Sequence, residues 1–495
     1  MYTRLLLVLG DQLYPQHEDL TPHQNSVFFM AEDYGLCTHF RYHKHKLVLF
    51  LSAMRSHADD IKEKYPLEYY ELNTQNKRWS YEEKLSKTLE KYTGITTLVR
   101  YEIEDVFFEK RIHDFCEKNN LKQEIIPSQG FITSRENFKK YLDNTKKPFM
   151  HSFYQQQRKE LGILMTDDGK PLNGEWSFDK ENRKKLPKDV TIPDQPQSEI
   201  NEHDQQVIEL VNQLFEEHPG NTNTFHFSTT RRSALHRLNT FLKERFEDFG
   251  PYEDAIHTDE VFAFHSVLSP YINMGLITPN EVIDAAVSYF HEHDTHFPSV
   301  EGFVRQIIGW REFMRGIYHN FDVQKNFFNH TRTMKKCWYT GETGITPLDD
   351  AIIKADTYAY THHIERLMVL GNIMLMAEIH PDNVYAWFME MYADSADWVM
   401  APNVYAMSQF AEEGIFATKP YISGSNYIKK MSNYSNGDWC DIVDGLYWRF
   451  IQKNRETFKN NHRMGMMIAT LERMNVEKKE RIFSAAEEWI QRVTR

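Results

Sequence analysis

The sequence predicts a two-part fold, a parallel α/β domain followed by an all-helical domain, and three observations carry that prediction. Over the first 130 residues short apolar β-type runs alternate with helical patterns; between about 130 and 205 the pattern dissolves into polar stretches; from 206 apolar residues recur at helical spacing to the end of the 495-residue chain. Strand and helix in alternation imply a parallel sheet covered by helices. A chain of this length also exceeds what one core usually holds. The expected divisions are an α/β domain over 1–130, an interdomain linker over 131–205 and a helical domain over 206–495.

In the first part the expected strands are "RLLLVLG" (4–10), "SVFFMAE" (26–32), "LEYYELN" (67–73), "TTLVRYEI" (96–103) and "QEIIPSQ" (123–129). The segments "HKHKLVLFLSAMRSHADDIKEKY", "SYEEKLSKTLEKY" and "FFEKRIHDFCEKNN" between them are long enough for crossover helices. Ligands on such sheets sit beyond the carboxyl ends of strands, which makes Asp11 and Gln12 in "GDQL", with Glu32 after the second strand, a candidate pocket. There is no G-x-G-x-x-G, so a dinucleotide is not expected there. In the linker, the basic cluster "DKENRKKLPK" follows Trp176 and Phe178 and reads either as a solvated face or as a nucleic-acid contact. In the helical part, "SALHRLNTFLKERF" places Leu235, Leu238, Phe241 and Leu242 on one face, and Gly250 closes the segment.

A hydrophobic content of 41% without any run near the ~20 apolar residues of a membrane span excludes an integral helical membrane protein. The start, "MYTRLLLVLGDQL", lacks a cleavage site for a signal peptide, so the chain reads as cytoplasmic. Four cysteines without a C-x-x-C argue against a disulfide framework or a zinc site. The net charge of −13 does not announce a nucleic-acid binder, and any basic footprint must be local. A monomer is expected.

The stretch "YAYTHHIERLMVLGN" (358–372) sets His362 beside His363 at a helical pattern and follows them with Arg366. Consecutive helix positions point about 100° apart, so two adjacent histidines chelate one ion poorly. That leaves a buried structural pair, or an acid catalyst with its neighbour. In "FHSVLSPYINMGLITP" (264–279), Ser266 and Ser269 stand near a helix start, where hydroxyls suit a phosphate or simply cap the helix. "HEHDTH" (291–296) sits between helical segments without supporting cysteines and is assigned no metal.

Together with "TTRRSALHRL", "RQIIGWREFMRGIY", "DWVMAPNVYAMSQFAEEGIFATKPYISGSNYIKKM", "ENRKKLP" and "LYWRF", these pieces resemble the photolyase and cryptochrome superfamily over essentially the whole length. The resemblance is closest to the bacterial branch of prokaryotic (6-4) photolyases and their cryptochrome relatives, named for an iron–sulfur cluster. It implies a Rossmann-like N-terminal α/β domain, a long linker and an all-helical FAD-binding domain. The implied reaction is driven by blue light, with reduced flavin lending an electron to a lesion in UV-damaged DNA in a bacterial cytoplasm.

Under this resemblance His363 is the proton donor to the (6-4) lesion, a role that imidazole suits because it titrates near working pH, and His362 is its neighbour. Ser266, Ser269, Gln306, Arg366, Trp387, Asp397 and Asn403 match flavin positions, with Asp397 as the carboxylate partner of Arg366. Asp179, Arg183, Lys419, Pro420, Tyr421, Lys429 and Lys430 match positions facing DNA or lesion, Tyr421 being counted with the catalytic group. Asp11, Gln12 and Glu32 match the pocket of a 6,7-dimethyl-8-ribityllumazine antenna, although Asp11 could instead cap a helix. Relatives hold their cluster with four cysteines. Here Pro347 stands where the first is expected and "MSNYSNGDWCDIVDGLYW" keeps only Cys440, so no iron–sulfur cluster is expected. Tyr339 stands where a tryptophan usually precedes T-G, with Trp338 one place earlier, so photoreduction is expected to differ beyond Trp387. The alternatives are a blue-light-sensing cryptochrome and a photolyase for cyclobutane dimers, which needs no acid histidine.

Overall fold

The computed structural model describes residues 1–194, 198–459 and 464–495; residues 195–197 of the expected linker lie outside the described residues. Five strands form at the anticipated places: β1 (Arg4–Leu7), β2 (Ser26–Ala31), β3 (Leu67–Tyr70), β4 (Thr97–Tyr101) and β5 (Lys122–Ile126). All pair in parallel, in the order β3-β2-β1-β4-β5. The crossover helices run over Lys44–Lys62, Tyr81–Lys91 and Val106–Lys118. Side chains alternate across the sheet. Leu5, Leu7, Val27, Phe29 and Leu98 face a core with Tyr81, Leu85, Phe108 and Ile112. Leu6, Phe28, Met30 and Val99 face the other way, against Val48, Leu51 and helices of the C-terminal half. Both faces are therefore covered, as an all-parallel sheet requires.

The strand order reverses between β1 and β4, which opens a crevice beyond their carboxyl ends. Arg315, from the helix Glu312–Asn320, fills part of it. Its Nε and one Nη donate to Glu104 at 2.8 Å each, and the same Nη donates to Glu102 at 2.9 Å. Burial opposes the charge of Glu104, but the His319 hydrogen bond and Arg315 outweigh it and hold the carboxyl down to about 2. Removing one partner of such a pair leaves a buried charge unpaired, at a cost of roughly 3–5 kcal/mol. Arg315→Ala should therefore lower the urea midpoint by that equivalent. Because a depressed carboxyl stabilises above its unfolded value and loses that contribution as pH falls, the deficit should shrink in acid, as equilibrium unfolding at pH 7 and pH 3 would measure.

The polar stretch after residue 130 is more ordered than its composition suggests. It contains the helices Arg135–Asp143 and Met150–Leu161, the first capped by the Ser134 hydroxyl and the second closed by Gly162 in the left-handed region at φ 67°. Phe138, Tyr141 and Phe153 are buried in the helical core with Phe313 and Ile317. Tyr154 is buried as well, in the core shared with the sheet, with its hydroxyl donating to Glu301 at 2.8 Å, and Arg158 is buried among the carbonyls of Ile163, Leu164 and Trp176. The chain between Gly174 and Ser198 then runs without regular helix or strand among its described residues. From Glu202 to the C-terminus the elements are helices; the helix Glu202–Leu214 packs against Lys44–Lys62, and His203 reaches Asp59 at 2.7 Å. Among the described residues no helix is long and apolar enough to cross a membrane.

Candidate active site

Three seven-residue π-helical turns, Arg305–Arg311, Glu365–Gly371 and Pro402–Ser408, interrupt the helices of the C-terminal half. Such bulges forgo regular hydrogen bonding and concentrate at functional sites. Gln306, Arg366 and Asn403 sit on them, one to each turn. The second and third turns touch closely: a Cβ on Gly371 would lie 2.2 Å from the Ser408 hydroxyl, so the approach requires glycine. Asn403 donates back along its own turn to the Val399 carbonyl at 2.8 Å.

Arg366 is anchored on every side. Its Nε donates to the Thr361 carbonyl at 2.8 Å and an Nη donates to Asp394 at 2.9 Å, while the guanidinium lies 3.9 Å from the centre of the Tyr392 ring. Asp394 also accepts from the Ser269 hydroxyl at 2.7 Å, and its carbonyl accepts from Asn273 at 2.9 Å. Burial works against the arginine's charge, but Asp394 and Tyr392 outweigh it and leave the guanidinium above its ordinary value. The expected partner, Asp397, is not used. Its carboxylate accepts from the hydroxyls of Tyr318 and Tyr385 instead. Asp397 opens the helix Asp397–Ala401, which packs on Glu312–Asn320, whereas Asp394 lies in the preceding turn and faces Arg366. Trp387 is fully buried with its ring 5.8 Å from that of Tyr392, one ring removed from Arg366, and its Nε1 donates to the Trp338 carbonyl at 2.8 Å. Ser266 stands partly exposed in the segment ahead of the helix Ser269–Met274.

His362 and His363 differ sharply in exposure. The His362 side chain is 2% exposed, that of His363 48%. Nε2 of His363 donates to Asp254 at 3.2 Å. Burial pushes this imidazole down, but the Asp254 hydrogen bond and the charges of Glu253 and Asp254 prevail and raise it above the ordinary histidine value. His362 is driven the other way, by burial and by neighbouring positive groups, and its Nε2 lies 3.4 Å from Glu365, which Lys354 also pairs at 2.8 Å. A third ring that sequence reading passed over, His265, stacks on His362 with centroids 5.0 Å apart.

The linker reaches this place. Glu253 accepts from Asn182 at 2.9 Å and from Gln306 at 2.8 Å, and the Phe178 amide donates to Glu301 at 2.9 Å. Asp179 pairs with Arg183 and lies 3.7 Å from Arg305. A Cβ on Gly302 would meet the Asn182 amide at 2.8 Å, so the contact depends on that glycine. The cluster 178–183 thus lies beside Glu253, whose charge acts on His363. Lys419, Tyr421 and Lys430 are exposed, and Lys429 donates to Asn436 at 2.7 Å. Tyr427, in the same segment, is pushed up to about 12 by burial and feels the charges of both Asp254 and Arg183, which puts it near both.

Known proteins resemble this chain in sequence and in fold. Residues 6–227 match the family described as deoxyribodipyrimidine photo-lyase-related protein. A (6-4) photolyase from Agrobacterium fabrum is 34% identical over 489 residues, covering 96% of each chain. The chain belongs to the photolyase/cryptochrome superfamily. In three dimensions this superfamily fold is similar to a bacterial class III photolyase from Agrobacterium tumefaciens, at a TM-score of 0.59 and 15% identity over 99% of this chain and 98% of the other. It is also similar to a Synechocystis cryptochrome, at a TM-score of 0.56 and 12% identity over 99% of each chain.

A photolyase-type chain calls for a flavin, and the residues present fit one. Arg305 Nη2 and Gln409 Oε1 are buried without a hydrogen-bond partner, the first on the π-turn that carries Gln306 and the second directly after the π-turn that carries Asn403. Orphaned buried polar atoms of this kind are costly unless a ligand or water meets them. The antenna positions fit unevenly. Gln12 donates to the Glu102 carbonyl at 2.9 Å and keeps a buried, unpartnered Oε1, and burial raises Asp11 to about 6. Glu32 is different: Arg55 donates to it twice, at 2.8 and 3.1 Å, and the Tyr69 hydroxyl and Leu72 amide each donate at 2.6 Å. Two oxygens offer about four acceptor sites, so Glu32 is saturated by the domain's own structure and has none left for an antenna.

Proposed function

We propose that the protein is a light-driven (6-4) photolyase, reversing (6-4) pyrimidine photoproducts in UV-damaged DNA. Photolyase-type DNA repair follows from its family, and the observation that supports the finer reading is the half-exposed His363 held by Asp254. FAD, when bound and reduced, supplies the photoexcited electron that opens the lesion. Arg366, fixed by Asp394 and backed by Tyr392, would hold the flavin's polar edge and offset negative charge there. Gln306 and Asn403 would orient it from the other two π-turns, with Trp387 beside the arginine's aromatic support.

The acid is built on one carboxylate. With Nε2–H on Asp254, the protonated ring keeps its Nδ1–H for the lesion, so one carboxylate both orients the donor and keeps it charged. His362, neutral and buried, packs behind it. The flipped nucleotides would enter past Asp179, Arg183 and Tyr421, with Lys419, Lys429 and Lys430 placed for phosphates. Asp11 and Gln12 are the polar groups left for a lumazine antenna at the switch-point crevice.

The test is conversion by the reduced flavoprotein, under blue light and in the dark, of two oligonucleotides carrying either a (6-4) photoproduct or a cyclobutane dimer. Light-dependent restoration of the first alone is expected. Restoration of the dimer alone would reassign the substrate, and restoration of neither with flavin bound and reduced would leave a light receptor.

A further inference from the structure

His265, His362 and His363 each offer a ring nitrogen, and these three atoms lie within 4.8 Å of one another, the one group of three metal-capable side chains found among the described residues. Two of the rings are buried with a nitrogen that meets nothing: Nε2 of His265 and Nδ1 of His362. The opposite nitrogen of each ring faces an oxygen. His265 is hydrogen-bonded to the Glu253 backbone, which places its proton on Nδ1 and leaves the Nε2 lone pair outward. His362 turns Nε2 toward Glu365 at 3.4 Å, and His363 turns Nε2 toward Asp254 at 3.2 Å. An acceptor behind each imidazole is the outer-shell pattern of metal-ligating histidines, which fixes the tautomer and strengthens the ligand.

We propose that these three histidines form a binding site for one borderline divalent transition-metal ion of the Zn2+ class, with its fourth position left to solvent on the side of the half-exposed His363. Three imidazoles whose ring nitrogens lie this close suit such an ion once His363 gives up its Nδ1 proton to it, while oxygen-seeking Mg2+ or Ca2+ finds no carboxylate in the inner set. Zn–N bonds of about 2.0–2.1 Å in tetrahedral geometry put ligand atoms roughly 3.3 Å apart, so the rings must close slightly. His363, half exposed, has the room to turn in. A second consequence rests on the proposed function: with the ion on Nδ1 and the remaining N–H of His363 held on Nε2 against Asp254, no proton is left at Nδ1 for the lesion, so the ion holds (6-4) repair off.

The experiment titrates the purified flavoprotein in the dark with Zn2+ by calorimetry and with Co2+ by its visible d–d absorption, which intensifies on leaving octahedral water for a four-coordinate site. One equivalent is expected, removable by EDTA, with affinity at least 10-fold weaker in His265→Ala and in His362→Ala. Flavin absorbance and far-UV circular dichroism report whether those variants fold; if they do not, His363→Asn, at an exposed position, serves for the same comparison. Absence of saturable binding, or stoichiometric binding unaltered by the variants, overturns the site. Neither readout involves a lesion, so the site stands or falls apart from the repair reading. In the repair assay, Zn2+ should lower conversion and EDTA restore it; binding without inhibition would overturn the regulatory consequence alone.

Discussion

Replacing His363 by asparagine should lower (6-4) repair by about 10²- to 10⁴-fold, the span that a positioned general acid contributes, while flavin content and fold are retained. Retention is expected because the ring is 48% exposed and its one direct hydrogen bond is to Asp254. The readout is single-turnover conversion under saturating light, with bound flavin measured by absorbance. The pH dependence follows from the same geometry. A histidine raised above its ordinary ~6.5 is fully protonated below that value and loses its proton as pH rises through the higher folded value. Repair should accordingly fall on the alkaline side, and whatever stability the charged ring lends disappears over the same range. Asp254→Asn removes both a hydrogen bond and a charge that favour the imidazolium and leaves burial pushing down. Its alkaline fall should move to lower pH with a smaller loss of rate at acid pH than His363→Asn shows. Identical pH profiles for Asp254→Asn and the parent would remove Asp254 from the mechanism.

The parts of this molecule that could be read from sequence are those fixed by period and by order along the chain. β1 to β5 and their crossovers follow from apolar runs of strand length separated by helical patterns, and a parallel sheet leaves few other arrangements. Long-range partners were less legible. Glu32 looks like a pocket residue because a polar group after a buried strand points to a ligand; nothing in the sequence reveals that Arg55, 23 residues on, occupies it. Asp397 and Asp394 lie one turn apart in "YADSAD", and only the start of a helix at the second decides which faces Arg366. The helices Arg135–Asp143 and Met150–Leu161 were hidden by their polar faces, since a few buried aromatics, Phe138, Tyr141, Phe153 and Tyr154, carry the packing. His265 escaped because the stretch around it was read for hydroxyls, and the three-histidine cluster joins positions 97 residues apart, a separation that adjacency arguments about His362 and His363 do not reach.

Arg366→Leu should have the largest effect on the protein as a whole, releasing the flavin and lowering stability together. The side chains of Arg366 and Asp394 are 15% and 10% exposed, so the leucine variant leaves a nearly buried carboxylate whose remaining partner is the Ser269 hydroxyl. Breaking such a pair from one side costs roughly 3–5 kcal/mol. The double variant Arg366→Leu with Asp394→Leu should recover much of the stability, because no unpaired charge remains, yet it should still bind flavin poorly if the guanidinium is what offsets charge at the isoalloxazine edge. Urea unfolding and flavin absorbance separate the two roles: stability regained with flavin still lost assigns Arg366 to the cofactor, whereas recovery of both would make the pair structural. Asp397→Asn supplies the contrast. Its carboxylate faces Tyr318 and Tyr385, and an amide oxygen still accepts from a hydroxyl, so this variant should keep its flavin. Loss of flavin from Asp397→Asn but not from Asp394→Asn would return the partnership to the position first expected and contradict the geometry at Arg366.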